Sequence, residues 1–237
     1  MQVNNVYLLS ILQFFIGFGT AASFGPLIAD TSHWFLKRRG IAVALIASGN
    51  YFSGAIWPPL FNNALQSDGW RDVYGILAIA TIFIMIPLSF LLTKKISEET
   101  SRASDAASEN RRSSANISPR TLTILLSIAG VGCCVAMSMP QVHIVAFCID
   151  LGYGPAVGAE MLSLMLIGGI ISRLINGLLA DKLGGVYTLL IGSTLQCIAL
   201  FLYLPFDGLV SLYIVSAVFG LSQGGIVPSY AIIIREY

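Results

Sequence analysis

Charged residues are scarce in this sequence. Only 11% of its 237 residues are Asp, Glu, Lys or Arg, whereas soluble domains carry about 25%. The formal net charge of +1 argues against the concentrated basic face that nucleic-acid binding requires. These two shortages exclude an ordinary soluble domain and predict that the protein has no nucleic-acid partner.

Residues that build metal centres, disulfide frameworks and catalytic sites are also few. The chain has two histidines, and its four cysteines lie in or beside apolar runs without metal-type or disulfide-type spacing. No nucleophile and base stand at a sensible spacing within the apolar runs. We therefore predict no metal site, no cofactor and no catalytic residue, and we expect that the protein is not an enzyme.

Apolar residues are what the sequence has in excess, at 56% of the chain. About 20 apolar residues span a bilayer as a helix, and lipid offers backbone groups no hydrogen-bond partner. Seven runs reach that length, so we predict an all-α, polytopic bundle of seven transmembrane helices. The runs are residues 6–28, 41–65, 73–93, 121–149, 155–180, 186–204 and 209–234.

The basic residues are divided unevenly between the two sides of this bundle. Eleven of the 13 fall in the links after runs one, three and five or at the chain end. By the positive-inside rule these links are cytoplasmic, with the N-terminus outside and the C-terminus inside a cell membrane. The eleven are Lys37, Arg38, Arg39, Lys94, Lys95, Arg102, Arg111, Arg112, Arg120, Lys182 and Arg235.

One long polar segment divides the chain. Residues 96–118 are rich in Ser, Ala, Glu, Asn and Arg, and we expect a flexible cytoplasmic linker over 94–120. It separates three helices in 1–93 from four in 121–237. A weak repeat at a shift of 202 residues aligns Pro26 with Pro228, as in carriers built from parallel halves. With six helices in each half, we expect this chain to be truncated at both ends.

A single arginine interrupts the fifth run. Arg173 lies eight residues before Asp181, about 12 Å along a helix, where a cation costs about 2.5–3.5 kcal/mol on insertion scales. Its structural alternatives are snorkelling to the interface and an ion pair, for which Glu160 is a distant partner thirteen residues away. A guanidinium fork suits a carboxylate, so Arg173 is a candidate for binding an exchangeable anion. Asn176 shares its helix face.

Two further polar residues in the apolar runs each allow two interpretations. His143 in the fourth run either shuttles a proton coupled to an anion or, as we favour, forms a hydrogen bond at a helix interface. Gln223 in the last run either lines a cavity or bonds to a neighbouring helix. Both are candidates for the surroundings of Arg173.

Three stretches of the sequence resemble a known family. Residues 177–185, which read GLLADKLGG, resemble the loop signature of the major facilitator superfamily. Residues 34–40, WFLKRRG, look like a helix junction of its monocarboxylate transporter and oxalate/formate antiporter branch. The stretch from His143 through Asp150 to Arg173 and Gly177 is similar to helices seven and eight of the same branch.

The resemblance implies an architecture and a role for each motif. The seven runs are expected to be helices four to ten of a twelve-helix carrier. Arg173 is expected to bind a substrate carboxylate. The loop around Asp181, with Gly177, Lys182 and Gly184, is expected to stabilise one conformation at the cytoplasmic face.

The chain departs from the family pattern in two places. Val186 and Tyr187 follow the loop glycines, where one or two basic residues are usual. Gly169 stands one turn before Arg173, where monocarboxylate carriers often have an acidic residue. The second departure argues against proton coupling through an Asp/Arg pair.

These features predict secondary transport of a small mono- or dicarboxylate by alternating access. The predicted partners are that organic anion, a coupled proton or a counter-transported anion, and the lipid bilayer. A seven-helix receptor or sensor, or an inactive carrier fragment, is the alternative function.

Overall fold

The computed structural model describes residues 5–35, 38–67, 69–91 and 118–236, with the backbone alone at 58–59, 62–67, 91 and 235–236. Over these ranges every regular element is an α-helix, which confirms the predicted fold class. Lys37 and residues 94–117 of the predicted linker lie outside the described residues. The helices are α1 (Val6–Trp34), α2 (Arg39–Ser67), α3 (Trp70–Leu91), α4 (Pro119–Asp150), α5 (Pro155–Leu183), α6 (Gly185–Leu202), α7 (Leu209–Gln223) and α8 (Ile226–Glu236).

Seven stretches of the described chain are helical, long and apolar enough to cross a membrane. Six lie within single helices and coincide with the first six predicted runs. The seventh stretch, Leu209–Ile234, contains both α7 and α8. The sequence predicts a seventh membrane-spanning run there, and the structure confirms it but interrupts its helix between Gln223 and Ile226.

The break between α7 and α8 falls at a pair of glycines. The Gly224 amide donates a hydrogen bond to Ser172 Oγ of α5 at 3.2 Å. A Cβ at Gly224 would lie 2.5 Å from the backbone nitrogen of Arg173, and a Cβ at Gly225 would overlap the Asn176 side chain. Because neither glycine carries a Cβ, the break lies directly against α5 at the level of Arg173.

Local sequence explains where α4 begins and where α5 begins and ends. Ser118 Oγ accepts a hydrogen bond from the Thr121 amide at 3.2 Å, and Pro119 occupies the first turn of α4. Pro155 occupies the first turn of α5, which follows Gly154 and has no side-chain cap. Gly184 ends α5 with a φ of +86°, which glycine adopts without a Cβ clash.

The main buried core joins α4, α5, α6 and α7. A second, smaller cluster joins Ile28 of α1 to Val43 and Ala47 of α2. The helix α2 makes its most extensive contact with α5, and this contact connects the first three helices to the last five. The main core consists of Ile144, Cys148, Met161, Met165, Ala199, Leu212 and Phe219.

Candidate functional site

The facing stripes of α2 and α5 form the candidate site. Residues three or four apart on one helix lie on one face, and here two such faces meet. Gly40 lies against Gly177 and Asp181, and Ala47 lies against Arg173. Residue numbers rise along α2 as they fall along α5, so the two helices are antiparallel.

Asp181 ties the end of α5 to the start of α2. Its Oδ1 accepts a hydrogen bond from the Gly40 amide at 2.6 Å, and its Oδ2 accepts one from the Ile41 amide at 3.1 Å. Both amides belong to the first turn of α2, where N–H groups lack partners within the helix and carry the positive end of its dipole. The carboxylate therefore acts as a cap supplied by another helix.

Close backbone approach makes this capping contact possible. A Cβ at Gly177 would lie 2.6 Å from the Ala44 Cβ, and a Cβ at Gly40 would overlap the Gly177 carbonyl oxygen. Of the predicted loop residues, Gly177 and Asp181 contact α2. Lys182 is exposed in the last turn of α5, and Gly184 forms the positive-φ turn that follows.

Arg173 lies two turns further into the same interface. It is 2% exposed, and its Nη1 donates a hydrogen bond to the Ala47 carbonyl oxygen of α2. Its Cζ stands 3.8 Å from the centroid of the Tyr51 ring, a cation–π contact. Its Nε is buried and has no hydrogen-bond partner among the described residues. The Tyr51 ring therefore covers one face of the guanidinium, the Ala47 carbonyl binds Nη1, and Nε remains without a partner among the described residues.

Neither structural alternative for Arg173 fits this geometry. A snorkelling arginine keeps its head in water, whereas this guanidinium is almost completely enclosed. Within the described residues Arg173 forms no ion pair with a carboxylate. Glu160 instead accepts a hydrogen bond from the Tyr213 hydroxyl. The contacts of Arg173 are with a carbonyl dipole and an aromatic face.

Sequence reasoning missed Tyr51 and Ala47. A signal for them exists, since Gly40, Ala44, Ala47 and Tyr51 recur at three- and four-residue intervals and define one face of α2. That periodicity identifies a packing face. It does not say which helix the face meets.

Asn176 on α5 and Gln223 on α7 form their hydrogen bonds with residues other than Arg173. Asn176 Nδ2 donates to Ser172 of its own helix, to the carbonyl oxygen at 2.8 Å and to Oγ at 3.1 Å. Gln223 is completely buried, accepts a hydrogen bond from Gln141 Nε2 at 2.8 Å and donates to the Met165 carbonyl oxygen at 3.5 Å. For Gln223 the structure shows the bond to a neighbouring helix that the sequence leaves open.

His143 lies in a different part of the molecule. It is exposed and lines an open, largely apolar groove of about 500 Å³ between α4 and α6. Phe147 lines the α4 side, and Cys197 and Phe201 line the α6 side. The structure therefore does not bring His143 together with Arg173.

Comparison with known proteins places this geometry in context. The family model of the Major Facilitator Superfamily matches residues 1–237, the whole chain. The chain is similar to Monocarboxylate transporter 13 of Rattus norvegicus, with 26% identity over 222 residues that cover 93% of the chain and 51% of that protein. No solved structure matches the chain.

The chain is also similar to two further transport proteins. Monocarboxylate transporter 11 of Homo sapiens is 28% identical over 167 residues, covering 70% of the chain and 35% of that protein. Agnestins efflux protein AgnL12 of Paecilomyces divaricatus is 26% identical over 227 residues, covering 93% of the chain and 50% of that protein. The chain spans about half the length, or less, of these three relatives.

Proposed function

The chain belongs to the Major Facilitator Superfamily, and from that premise we propose that it forms part of a secondary carrier for a small mono- or dicarboxylate. The family carries small molecules across membranes, and seven apolar helical stretches make this a multi-pass membrane protein. The family match favours transport over a receptor or sensor and over an enzyme.

The proposal rests on the burial of Arg173 and on its lack of a carboxylate partner among the described residues. A buried cation without a carboxylate partner is costly in a membrane, and binding an anion removes much of that cost. Its Nε has no partner among the described residues, so this N–H group is available to a ligand. Arginine suits carboxylates because its planar donors match two carboxylate oxygens.

The names of the relatives support the ligand class. Two of the three relatives reported above are monocarboxylate transporters. The third is an efflux protein for agnestins. We assign a carboxylate because the buried guanidinium suits an anion, and the carboxylate is the anion that the first two names imply.

Alternating access provides the mechanism. We propose that residues 1–93 and 121–237 belong to two halves joined by a linker over 94–120, and that the halves rock about Arg173. The Asp181 contact with the first turn of α2 holds them together at one end, so it favours the conformation closed at that end. By the positive-inside rule, the distribution of basic residues supports a cytoplasmic position for this end, with the N-terminus outside and the C-terminus inside. A coupled proton or a counter-transported anion supplies the driving force.

Uptake by the full-length protein tests the proposal. We would reconstitute it in liposomes and measure uptake of radiolabelled lactate, pyruvate, formate and oxalate. Arg173→Ala should lower uptake of the transported anion by roughly 100-fold, because each hydrogen bond to a charged group is worth about 1.5–3 kcal/mol. Arg173→Lys, which keeps the charge but loses the planar fork, should lower uptake less.

Arg120→Ala is the matched control, since Arg120 is exposed at the start of α4 and lies far from this interface in the chain. It should transport as the unmodified protein does. Unchanged uptake by Arg173→Ala, at equal protein level and with an unchanged elution profile in detergent, would overturn the assignment.

A further inference from the structure

The helix α2 contributes an aromatic residue to the surroundings of Arg173. Tyr51 is 3% exposed, and its ring lies under the guanidinium at 3.8 Å. One turn earlier, the Ala47 carbonyl oxygen accepts the hydrogen bond from Nη1. The ring restrains the guanidinium from one side, and the carbonyl oxygen restrains Nη1. Together these two contacts restrain the side chain of a residue that belongs to another helix.

Tyr51 is itself held from two sides. Its hydroxyl lies 3.3 Å from Met137 Sδ of α4, which contacts the far end of the ring. On the near side α5 carries Gly169, where a Cβ would lie 2.8 Å from the Tyr51 Cε2. The ring therefore occupies space that any side chain at position 169 would need. It is a fixed platform for the guanidinium.

Two of the three nitrogens of Arg173 differ in their contacts. Nη1 is bound to a backbone carbonyl, and one ring face covers the group. Nε is buried and has no partner among the described residues. A carboxylate binds a guanidinium either end-on, across the two terminal nitrogens, or side-on, at the edge that contains Nε. A carboxylate bound end-on would share Nη1 with the Ala47 carbonyl oxygen, whereas one bound side-on would use the unpartnered Nε.

We propose that Tyr51 and the Ala47 carbonyl are positioning groups that present the Nε edge of Arg173 to a carboxylate ligand. The inference rests on the proposed function for the ligand, but the positioning of Arg173 by Tyr51 is independent of it. Tyr51 acts through Arg173. The first group of helices thereby sets the orientation of a binding residue in the second.

The test combines transport kinetics with a direct observation of the Arg173 side chain. The full-length protein is labelled with ¹⁵N-arginine and placed in lipid nanodiscs. Its Arg173 Nε–H signal is assigned by its loss in Arg173→Lys. Tyr51→Phe keeps the ring, Tyr51→Leu removes it, and Phe52→Leu removes an exposed neighbouring ring on α2 as the matched control. Lactate and pyruvate are the probes.

We expect Tyr51→Leu to shift or broaden the resting Nε–H signal and to raise the Michaelis constant by about tenfold, with the maximal rate changed by no more than about twofold. Phe52→Leu should leave both readouts unchanged, and Tyr51→Phe, which keeps the ring but loses the hydroxyl contact with Met137, should change them less than Tyr51→Leu does. In the unmodified protein, pyruvate or lactate should shift the Nε–H signal. Tyr51→Met, which keeps much of the side-chain volume, takes the same test if the leucine variant does not fold.

Three other results would each test a different part of the proposal. An unchanged Nε–H signal and Michaelis constant in a folded Tyr51→Leu variant would overturn the positioning role. A ligand-induced shift at the terminal nitrogens alone would overturn the assignment of the Nε edge. A resting signal that depends on Tyr51 but responds to neither probe would support positioning by Tyr51, and would count against carboxylate binding by Arg173.

Discussion

The α2–α5 interface contains Arg173 and the α4–α6 groove contains His143, and the two regions differ in burial, packing and charge. In the interface, backbones approach closely enough that a Cβ at Gly177 would collide with Ala44, and Arg173 is enclosed. In the groove, which is open and largely apolar, the His143 side chain is exposed. One region is closed and contains a cation, and the other is open and largely apolar.

The difference shows what burial adds to a polar residue in a membrane. An enclosed cation has to be compensated by dipoles, an aromatic face or an anion, so its neighbours are constrained. A histidine on an open surface does not need compensating neighbours, so the residues around it can vary. Substitutions should therefore have large effects in the interface and small effects in the groove.

Gly177→Leu should have the largest structural effect, because its side chain has no space between α5 and α2. A Cβ alone would lie 2.6 Å from the Ala44 Cβ. Overpacking costs about 1–3 kcal/mol in ordinary cores and more where backbone has to move. We expect severe loss of folded full-length protein, measured as the monodisperse fraction on size-exclusion chromatography in detergent.

Gly49→Leu is the control for this substitution. Gly49 lies on α2, is exposed, and a Cβ there meets no atom within 4 Å. The control should keep the monodisperse peak. Normal folding of Gly177→Leu would mean that α2 and α5 do not approach this closely in the membrane.

Asp181→Ala should have an intermediate effect. It removes both hydrogen bonds to the first turn of α2, where loss of a cap costs about 0.5–2 kcal/mol. Asp181→Asn should cost less, because its amide oxygen still accepts one of the two bonds. The measurement is the midpoint of thermal unfolding in detergent, with an expected decrease of about 2–4 °C for each kcal/mol.

Asp150→Asn is the control, since Asp150 is an exposed carboxylate at the end of α4. It should leave the midpoint unchanged. Equal midpoints for Asp181→Ala and the unmodified protein would show that the carboxylate contributes nothing to the α2–α5 contact.

The same contrast explains how much of the molecule the sequence predicts. Six helices coincide with apolar runs because bilayer thickness fixes their length and lipid requires their backbone bonds to be internal. The depth of Arg173 follows from counting residues to Asp181. These properties depend on local sequence and on the solvent, so they are readable without a partner.

Contacts between distant segments were less predictable. Ala47 lies 126 residues from Arg173, and helical periodicity on α2 gives a face without naming the helix that it meets. The break at Gly224 depends on the approach of Ser172, Arg173 and Asn176, which no local pattern encodes. The absence of an acidic residue at Gly169 also has a structural counterpart, since the Tyr51 ring fills the adjacent space.

His143→Ala should have the smallest effect, and it sharpens the comparison between the two regions. If the binding site is confined to the α2–α5 interface, the variant should change uptake by no more than about twofold and keep the pH profile of uptake between about pH 5.5 and 7.5. Cys197→Ala, on the opposite wall of the groove, is the matched control. A flattened pH profile in His143→Ala alone would give the histidine a role in proton coupling despite its distance from Arg173 in the structure. The groove would then be part of the transport mechanism, and burial would no longer separate the functional residues from the others.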